Sequence, residues 1–217
     1  FIPTELAEMT SFVQIYLFGN KLTGTIPGGF ANSSANLISL GLHKNKLHGS
    51  IPELLGYATK LSVLSVHDNS LVGKIPSTFR NLKKLQFFVA SNNMLTGTLP
   101  NFVSEWSGLE AFVVSNNKFT GTIPDAYGQL SNLGYLFASF NELVGTIPES
   151  IGSITALLGV DLSENKLHGV IPAAFGKRYK LQSLIFTSNN LTTSTQHPFD
   201  FIDPNVQTAL RILDVSN

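Results

Sequence analysis

The chain has 217 residues, of which 14 are basic and 14 acidic, so its formal net charge is zero. This balance argues against nucleic acid or an anionic membrane as the main partner, because such binding needs a basic field. With 43% hydrophobic residues the chain can bury a large core, and without cysteine it contains no disulfide scaffold or thiolate metal site. No apolar run approaches the ~18 residues of a membrane span.

Prolines and asparagines mark a repeat along the chain. Seven prolines, each after an apolar residue and three places after a glycine, follow one another at an interval of 24 residues after a first interval of 25: Pro27, Pro52, Pro76, Pro100, Pro124, Pro148 and Pro172. An asparagine lies seven places before each, and an eighth continues the series: Asn20, Asn45, Asn69, Asn93, Asn117, Asn141, Asn165 and Asn189. Apolar residues complete the unit LxxLxLxxNxLxGxIP, and a fixed period of this kind indicates a solenoid.

Each unit predicts the same series of elements. The LxxLxL segment predicts a short strand, and stacked copies form a parallel sheet with one buried face. The asparagines form a column, the structural ladder, in which each amide can satisfy backbone groups at the turn after a strand. Glycine and proline turn the chain again, and the remaining residues, such as 53–60, predict short helical or 3-10 turns. Because these turns are bulkier than the ~4.8 Å strand spacing, the stack curves and the sheet lies on its concave face.

The repeat is less regular towards the ends of the chain. Residues 190–209 lack the GxIP tail, and the next strand signal is Leu210, Leu213 and Val215. We interpret this segment as an irregular repeat, either a longer unit of another class or an irregular loop. The sequence therefore predicts a single α/β solenoid domain over residues 1–217, with about eight repeats, partial repeats at both ends and no capping units, as expected for a piece of a longer array.

The unit resembles the plant-type leucine-rich repeat of 24 residues, with its LxGxIP tail, over essentially the whole chain. The resemblance is to the ectodomains of leucine-rich-repeat receptor-like kinases and receptor-like proteins. It implies an extracellular or cell-surface recognition module of a membrane receptor in signal transduction, non-catalytic and without a cofactor, that binds a protein, peptide or glycan on the concave face. A kinase domain would lie outside this segment. Extracellular members usually carry cysteine pairs in their caps, so the lack of cysteine indicates that the caps also lie outside it.

The residues that point outward from the concave sheet form an apolar patch with a polar rim. The candidate ligand-binding residues are the apolar Val63, Phe87, Val89, Val113, Tyr135, Phe137 and Phe140 and the polar His43, His67, Asp68 and Asp161. A contiguous apolar patch inside a polar rim is typical of protein and peptide interfaces. Strand propensity is one alternative explanation, and cover by another part of a longer protein is a second.

Other residues suggest further chemistry. His43 and His67 occupy one column in neighbouring repeats beside Asp68, where they could share a metal or a proton, or simply be solvated; we predict no metal site and no catalytic residues. The two glycosylation sequons, at Asn32 and Asn190, are no more than chance predicts, so a glycoprotein is only one possibility.

Three further functions remain open beside the receptor. The same repeat class includes secreted inhibitors of polysaccharide-degrading enzymes. Threonines recur in the repeat tail, as at Thr98, Thr122 and Thr146, and a regular array could match an ice lattice, although LTGxIP is also the ordinary form of this repeat. A cell-surface structural protein is the last alternative.

Overall fold

The computed structural model describes residues 1–9, 11–31, 36–192 and 209–216. Its strands are β1 Gln14–Tyr16, β2 Ser39–Gly41, β3 His48–Ser50, β4 Val63–Ser65, β5 Ser70–Gly73, β6 Phe87–Val89, β7 Met94–Thr98, β8 Ala111–Val113, β9 Lys118–Gly121, β10 Tyr135–Phe137, β11 Glu142–Gly145, β12 Gly159–Asp161, β13 Lys166–Val170, β14 Ser183–Ile185, β15 Asn190–Thr192 and β16 Ile212–Asp214. The predicted sequon at Asn32 and residues 193–208 of the predicted irregular repeat lie outside the described residues.

One strand from each repeat enters a parallel concave sheet of nine strands, in the order β1-β2-β4-β6-β8-β10-β12-β14-β16. Equivalent positions pair directly, so that Val63 lies opposite Phe87 and Phe87 opposite Ala111. The last strand, β16, pairs with β14 and corresponds to the strand signal predicted at Leu210 to Val215. This in-register parallel sheet confirms the predicted leucine-rich-repeat solenoid.

A second sheet, which the sequence did not predict, follows the turn after each of the concave strands from β2 to β14. It has seven strands in the order β15-β13-β11-β9-β7-β5-β3, and six of them, all but β15, lie just before an Ile-Pro or Leu-Pro pair. The glycine of each GxIP tail has φ between 76° and 86°, a region that residues with a side chain rarely adopt. At Gly121 a Cβ atom would also lie 2.9 Å from Thr98 Cγ2 of the preceding repeat. Glycine therefore lets adjacent tails stack closely.

Short helices lie on the convex side, as predicted, where most of them connect a strand of the second sheet to the next concave strand. The 3-10 helices are Thr4–Glu8, Gly28–Ala31, Glu53–Tyr57, Ser77–Asn81, Asn101–Glu105, Asp125–Gln129 and Ala173–Lys177, and Glu149–Gly152 is α-helical. Most follow a repeat proline directly; Pro52, for example, has φ −67° and precedes the first helical residue. Proline suits this place because its fixed φ prepares the turn and its missing N–H would have no helical partner.

The core lies between the concave sheet and the convex helices. The central residues of the concave strands from β1 to β14 are buried, and each convex helix contributes at least one buried apolar residue, such as Leu55 or Phe79. Trp106, the only tryptophan of the sequence, is also fully buried. Its ring centroid lies 5.8 Å from that of Phe88 and 6.4 Å from that of Phe112, and its Nε1 donates a 2.9 Å hydrogen bond to the Phe79 carbonyl. This contact ties two consecutive repeats together.

The asparagine ladder joins the repeats at the turn after each concave strand. Asn117 Oδ1 accepts a hydrogen bond from the N–H of Leu95, at 2.9 Å, and Asn117 Nδ2 donates to the carbonyls of Ala90 and Val114, each at 3.0 Å. One amide thus satisfies backbone groups of two repeats. The same bonds recur at the ladder asparagines from Asn45 to Asn189. Asn20 is exposed, and among the described residues its Nδ2 donates only to carbonyls of its own turn.

Candidate ligand-binding surface

The concave strands place the predicted apolar residues side by side on the outward face. The central residues of β4, β6, β8 and β10 are fully buried, while most of the residues on either side of them are partly exposed. We call the following set the apolar patch: Val63, Phe87, Val89, Val113, Tyr135 and Phe137. Ala111 lies within the patch but is only 6% exposed, because its small side chain pairs on both sides with larger ones, Phe87 and Tyr135.

The aromatic end of the patch has a defined boundary. The rings of Tyr135 and Phe137 make an edge contact with centroids 5.6 Å apart. Both lean over Gly159 of the next strand, where an added Cβ atom would lie 3.1 Å from Phe137 Cε1. Asp161, the partner of Phe137 in the register, then replaces the apolar series with a carboxylate. The patch therefore ends at the seventh repeat, where the predicted polar rim begins.

The opposite rim contains a stack of three rings. The His43 ring lies between Phe18, with centroids 4.5 Å apart, and His67, with centroids 4.3 Å apart. His43 Nδ1 lies 3.0 Å from Ser65 Oγ, and His67 Nδ1 lies 2.7 Å from Asp68 Oδ2. The geometry therefore brings together the His43, His67 and Asp68 that the sequence singled out, and adds Phe18, which the sequence did not assign to the site.

Burial and the charge of neighbouring side chains alter two pKa values in this rim. Burial lowers the pKa of His43, with further lowering by His67 and Lys44 and a smaller opposing effect of Asp68. Burial alone would raise the pKa of Asp68, but hydrogen bonds from Asn92 and His67 outweigh it and the net pKa is lowered. No group of three His, Cys, Asp or Glu side chains able to hold a metal ion occurs in the described part of the chain.

The residue before each ladder asparagine has a left-handed backbone, which the sequence analysis missed. Seven residues with side chains have φ between 52° and 56°: Lys44, Asp68, Asn92, Asn116, Phe140, Glu164 and Ser188. Asn and Asp tolerate this conformation best, so their recurrence in the column was a signal. Three of them, Asn92, Asn116 and Phe140, border a groove of about 640 Å³, which we call the turn groove, at the ends of β6, β8 and β10. Phe140 and Asp161 both line it.

Comparison with protein families identifies the repeat. The family model described as Leucine Rich Repeat matches residues 11–33, 60–82 and 108–130. The chain is a leucine-rich-repeat solenoid. A search of curated proteins gave no significant match.

Solved structures of plant leucine-rich-repeat receptors resemble the chain. The ectodomain of the Arabidopsis thaliana membrane receptor kinase GASSHO1/SCHENGEN3, in complex with CASPARIAN STRIP INTEGRITY FACTOR 2, is 34% identical with a TM-score of 0.84, over 88% of this chain and 23% of that chain. The Arabidopsis HAESA ectodomain, with an extended IDA peptide hormone, is 28% identical with a TM-score of 0.87, over 97% and 35%. This leucine-rich-repeat chain thus spans about a quarter to a third of these receptor chains.

A plant ice-binding protein is also similar, with 25% identity and a TM-score of 0.75, over 93% of this chain and 71% of that chain.

Within the described residues of this leucine-rich-repeat chain, none of the helices has the length and apolar character needed to span a bilayer. The second sequon residue, Asn190, is exposed at the start of β15.

Proposed function

We propose that the chain is a non-catalytic recognition module, part of a cell-surface receptor, which binds a protein or peptide ligand across the apolar patch. The proposal rests on one observation, namely that the residue type changes from apolar to polar along individual columns of paired positions in the concave sheet. The column of Phe87 and Tyr135 contains Ser39 and Ser183 in outer repeats, and the column of Val113 and Phe137 contains Ser65 and Asp161. Strand propensity would act equally on every repeat, so the central cluster needs another explanation.

The similar structures support the class of ligand. The HAESA ectodomain was solved with a peptide hormone, and another similar structure is that of the peptide hormone receptor RGFR1 with RGF2, at 32% identity over 99% of this chain and 38% of that chain. An extracellular location for this chain follows by the same analogy. The open sheet supports binding rather than catalysis, since within the described residues it encloses no pocket in which titratable groups converge. Inhibition of a polysaccharide-degrading enzyme stays a prediction that none of these observations tests.

Selection of ligands from a random peptide library tests the proposal. Peptides would be selected on the wild-type chain and counter-selected on the Phe87→Ser/Phe137→Ser variant, and their dissociation constants measured by calorimetry. We expect either single substitution to weaken binding by roughly 1–3 kcal/mol, because aromatic residues at the centre of an interface dominate its energy. The midpoint of thermal unfolding should hardly change, since both side chains lie on the outer face of the sheet.

Tyr57→Ser is the matched control. Tyr57 is an aromatic residue with 56% exposure on a convex 3-10 helix, so its loss should leave peptide affinity unchanged. A library that yields no peptide sensitive to Phe87 or Phe137 would contradict the proposal. Unfolding of either variant would instead place these residues in the core.

Ice binding is a second candidate function, favoured by the similar plant ice-binding protein. Thr98, Thr122 and Thr146 are exposed at equivalent places in three successive repeats beside the second sheet, although Lys74 and Val170 interrupt their column. Measurement of thermal hysteresis on the wild-type chain and on Thr122→Lys tests it. An ice-binding protein would show hysteresis that the lysine variant loses, and a wild type without hysteresis would remove this candidate.

A further inference from the structure

The turn groove differs in chemistry from the apolar patch beside it. It crosses four repeats and is lined by the hydroxyls of Ser91, Ser115 and Ser139, the amides of Asn92 and Asn116, the side chains of Val113 and Phe140 and the carboxylate of Asp161. None of the described residues that line it is a lysine, arginine or histidine. The groove thus combines polar and apolar groups, with one aromatic wall and one acidic end.

Several polar atoms of the groove keep free hydrogen-bonding capacity. Asn116 Nδ2 donates to Asn92 Oδ1 at 2.9 Å, but Asn116 Oδ1 has no partner among the described residues. Asp161 Oδ1 accepts from Ser163 N and Oγ, at 3.1 and 2.6 Å, whereas Asp161 Oδ2 makes no hydrogen bond within the described chain. The internal bonds hold these side chains in place, and the remaining acceptors are available to a ligand.

Phe140 is the unusual residue of the groove. Its backbone has φ 53°, a conformation that costs a bulky residue energy and that the other described members of its column adopt either as glycine or with a polar side chain. Its side chain is 56% exposed and makes no ring contact with another described aromatic residue. Neither packing nor backbone preference therefore explains a phenylalanine here. A residue with a strained backbone and a solvent-exposed side chain is typical of a binding site.

We propose that the turn groove binds an uncharged sugar ring, as part of an oligosaccharide. The apolar C–H face of a pyranose would pack flat on the exposed Phe140 ring, as apolar groups pack on aromatic faces elsewhere. Its hydroxyls, which both donate and accept, would bond to Ser115, Asn116 and Asp161 Oδ2. An acidic sugar is excluded by chemistry, because its carboxylate would face that of Asp161 with no cation among the described residues that line the groove.

This site can be tested separately from the peptide-binding proposal, because the turn groove shares only Val113 with the apolar patch. The residues proposed to contact the sugar, Phe140, Ser115, Asn116 and Asp161, lie outside the patch. Binding would be measured by saturation-transfer NMR and calorimetry with four neutral tetrasaccharides, namely β-1,4- and β-1,3-linked glucose, β-1,4-linked xylose and β-1,4-linked mannose. Tetragalacturonate is the charged counterpart. We expect at least one neutral sugar to bind, with the strongest transfer to protons of one ring face, and tetragalacturonate to give no signal.

Phe140→Asn separates recognition from folding. Asparagine suits the left-handed backbone and matches its neighbours Asn92 and Asn116, so the midpoint of thermal unfolding should rise by roughly 2–4 °C. Sugar affinity should fall by about tenfold or more, since the aromatic wall is lost. Phe87→Ser, in the apolar patch, should leave sugar affinity unchanged.

Four outcomes would overturn the sugar site. These are no binding by any neutral tetrasaccharide at 10 mM (about the weakest interaction of interest), unchanged affinity in Phe140→Asn, equal binding of tetragalacturonate, and loss of sugar affinity in Phe87→Ser. If the ligand is the sugar of a glycoprotein rather than a free oligosaccharide, the chain should bind a glycoprotein that carries the same sugar. Enzymatic deglycosylation should then abolish that binding. None of these results bears on peptide affinity, so failure here leaves the peptide-binding proposal to its own test.

Discussion

The pKa of His43 depends on the residues that surround it in its column of the sheet. Its ring lies between those of Phe18 and His67, so that protonation would put a positive charge in a partly buried position beside a second imidazole and near Lys44. Asp68 opposes this effect only in part, and the pKa of His43 is lowered. The unfolded chain, where His43 has its ordinary pKa of 6.5, therefore binds the proton more readily than the folded chain. It follows that the contribution of His43 favours folding above pH 6.5 and decreases as the pH falls below it.

A titration of the histidine Cε1–H signals by NMR tests this prediction. We expect the pKa of His43 in the folded chain to lie below 6.5, and His67→Asn to move it upward by removing one of the charges that lower it. The same titration in concentrated urea supplies the unfolded reference. A His43 pKa equal to the urea value would show that the ring stack does not exclude the proton.

Asn117 shows at the level of the element what joins one repeat to the next. Asn117→Leu keeps the size of the side chain but leaves the Leu95 N–H and the Ala90 and Val114 carbonyls without partners in a buried turn. Because each unsatisfied buried group costs about 1–3 kcal/mol, we expect a loss of unfolding free energy of about 3 kcal/mol or more.

Urea denaturation measures the loss, and Asn132→Leu is the matched control. Asn132 is an exposed asparagine whose Nδ2 donates to the Ser107 carbonyl at 2.9 Å, and its replacement should cost about 1 kcal/mol or less. Equal stability of Asn117→Leu and the wild type would show that water satisfies the turn as well as the ladder does.

The concave strands, the ladder and the convex turns could be predicted from the period, because each places a particular side chain in the core or at the turn. The second sheet could not, since most of its strands contribute only one buried leucine or phenylalanine, which is too little to distinguish a strand from a turn. The left-handed residues were missed because that constraint acts on the backbone, and side chains as different as Lys44 and Phe140 satisfy it. The outward residues of the patch followed from strand alternation, whereas the ring stack depends on side-chain conformations that a period does not determine.

The threonines of the repeat tail gain a packing role from the second sheet. At Gly121 an added Cβ atom would lie 2.9 Å from Thr98 Cγ2, and at Gly145 2.8 Å from Thr122 Cγ2. Each threonine methyl thus covers the glycine of the following repeat. Lys74 does the same over Gly97 with its Cγ atom. The recurrence of threonine is therefore explained by contact between tails, without an ice lattice.

The whole molecule is a linear stack, since the contacts between its elements join consecutive repeats. In such a stack each repeat contributes its own stability and that of its interfaces. Deletion of residues 118–141 would join Asn117 to Glu142 and keep every later residue in phase. We expect the shortened chain to fold, with a β-type circular dichroism spectrum and a urea m-value lower by roughly a tenth, because the m-value follows the surface exposed on unfolding.

Deletion of residues 118–129 is the contrasting variant. It removes half a period and places a convex segment where a concave strand belongs, so this chain should not fold. If the half-period deletion folded as well as the deletion of 118–141, the register of the stack would not determine the fold.

The fluorescence of Trp106 can report on unfolding at one defined place in the stack. The indole is sealed between two central repeats, with its N–H bonded to the Phe79 carbonyl, and no second tryptophan contributes to the emission. Its fluorescence will shift to longer wavelength only when water reaches that one boundary, while circular dichroism averages over all strands. Divergence of the two signals during denaturation would reveal repeats that open from the ends inward, and their coincidence would show that the array opens as one unit.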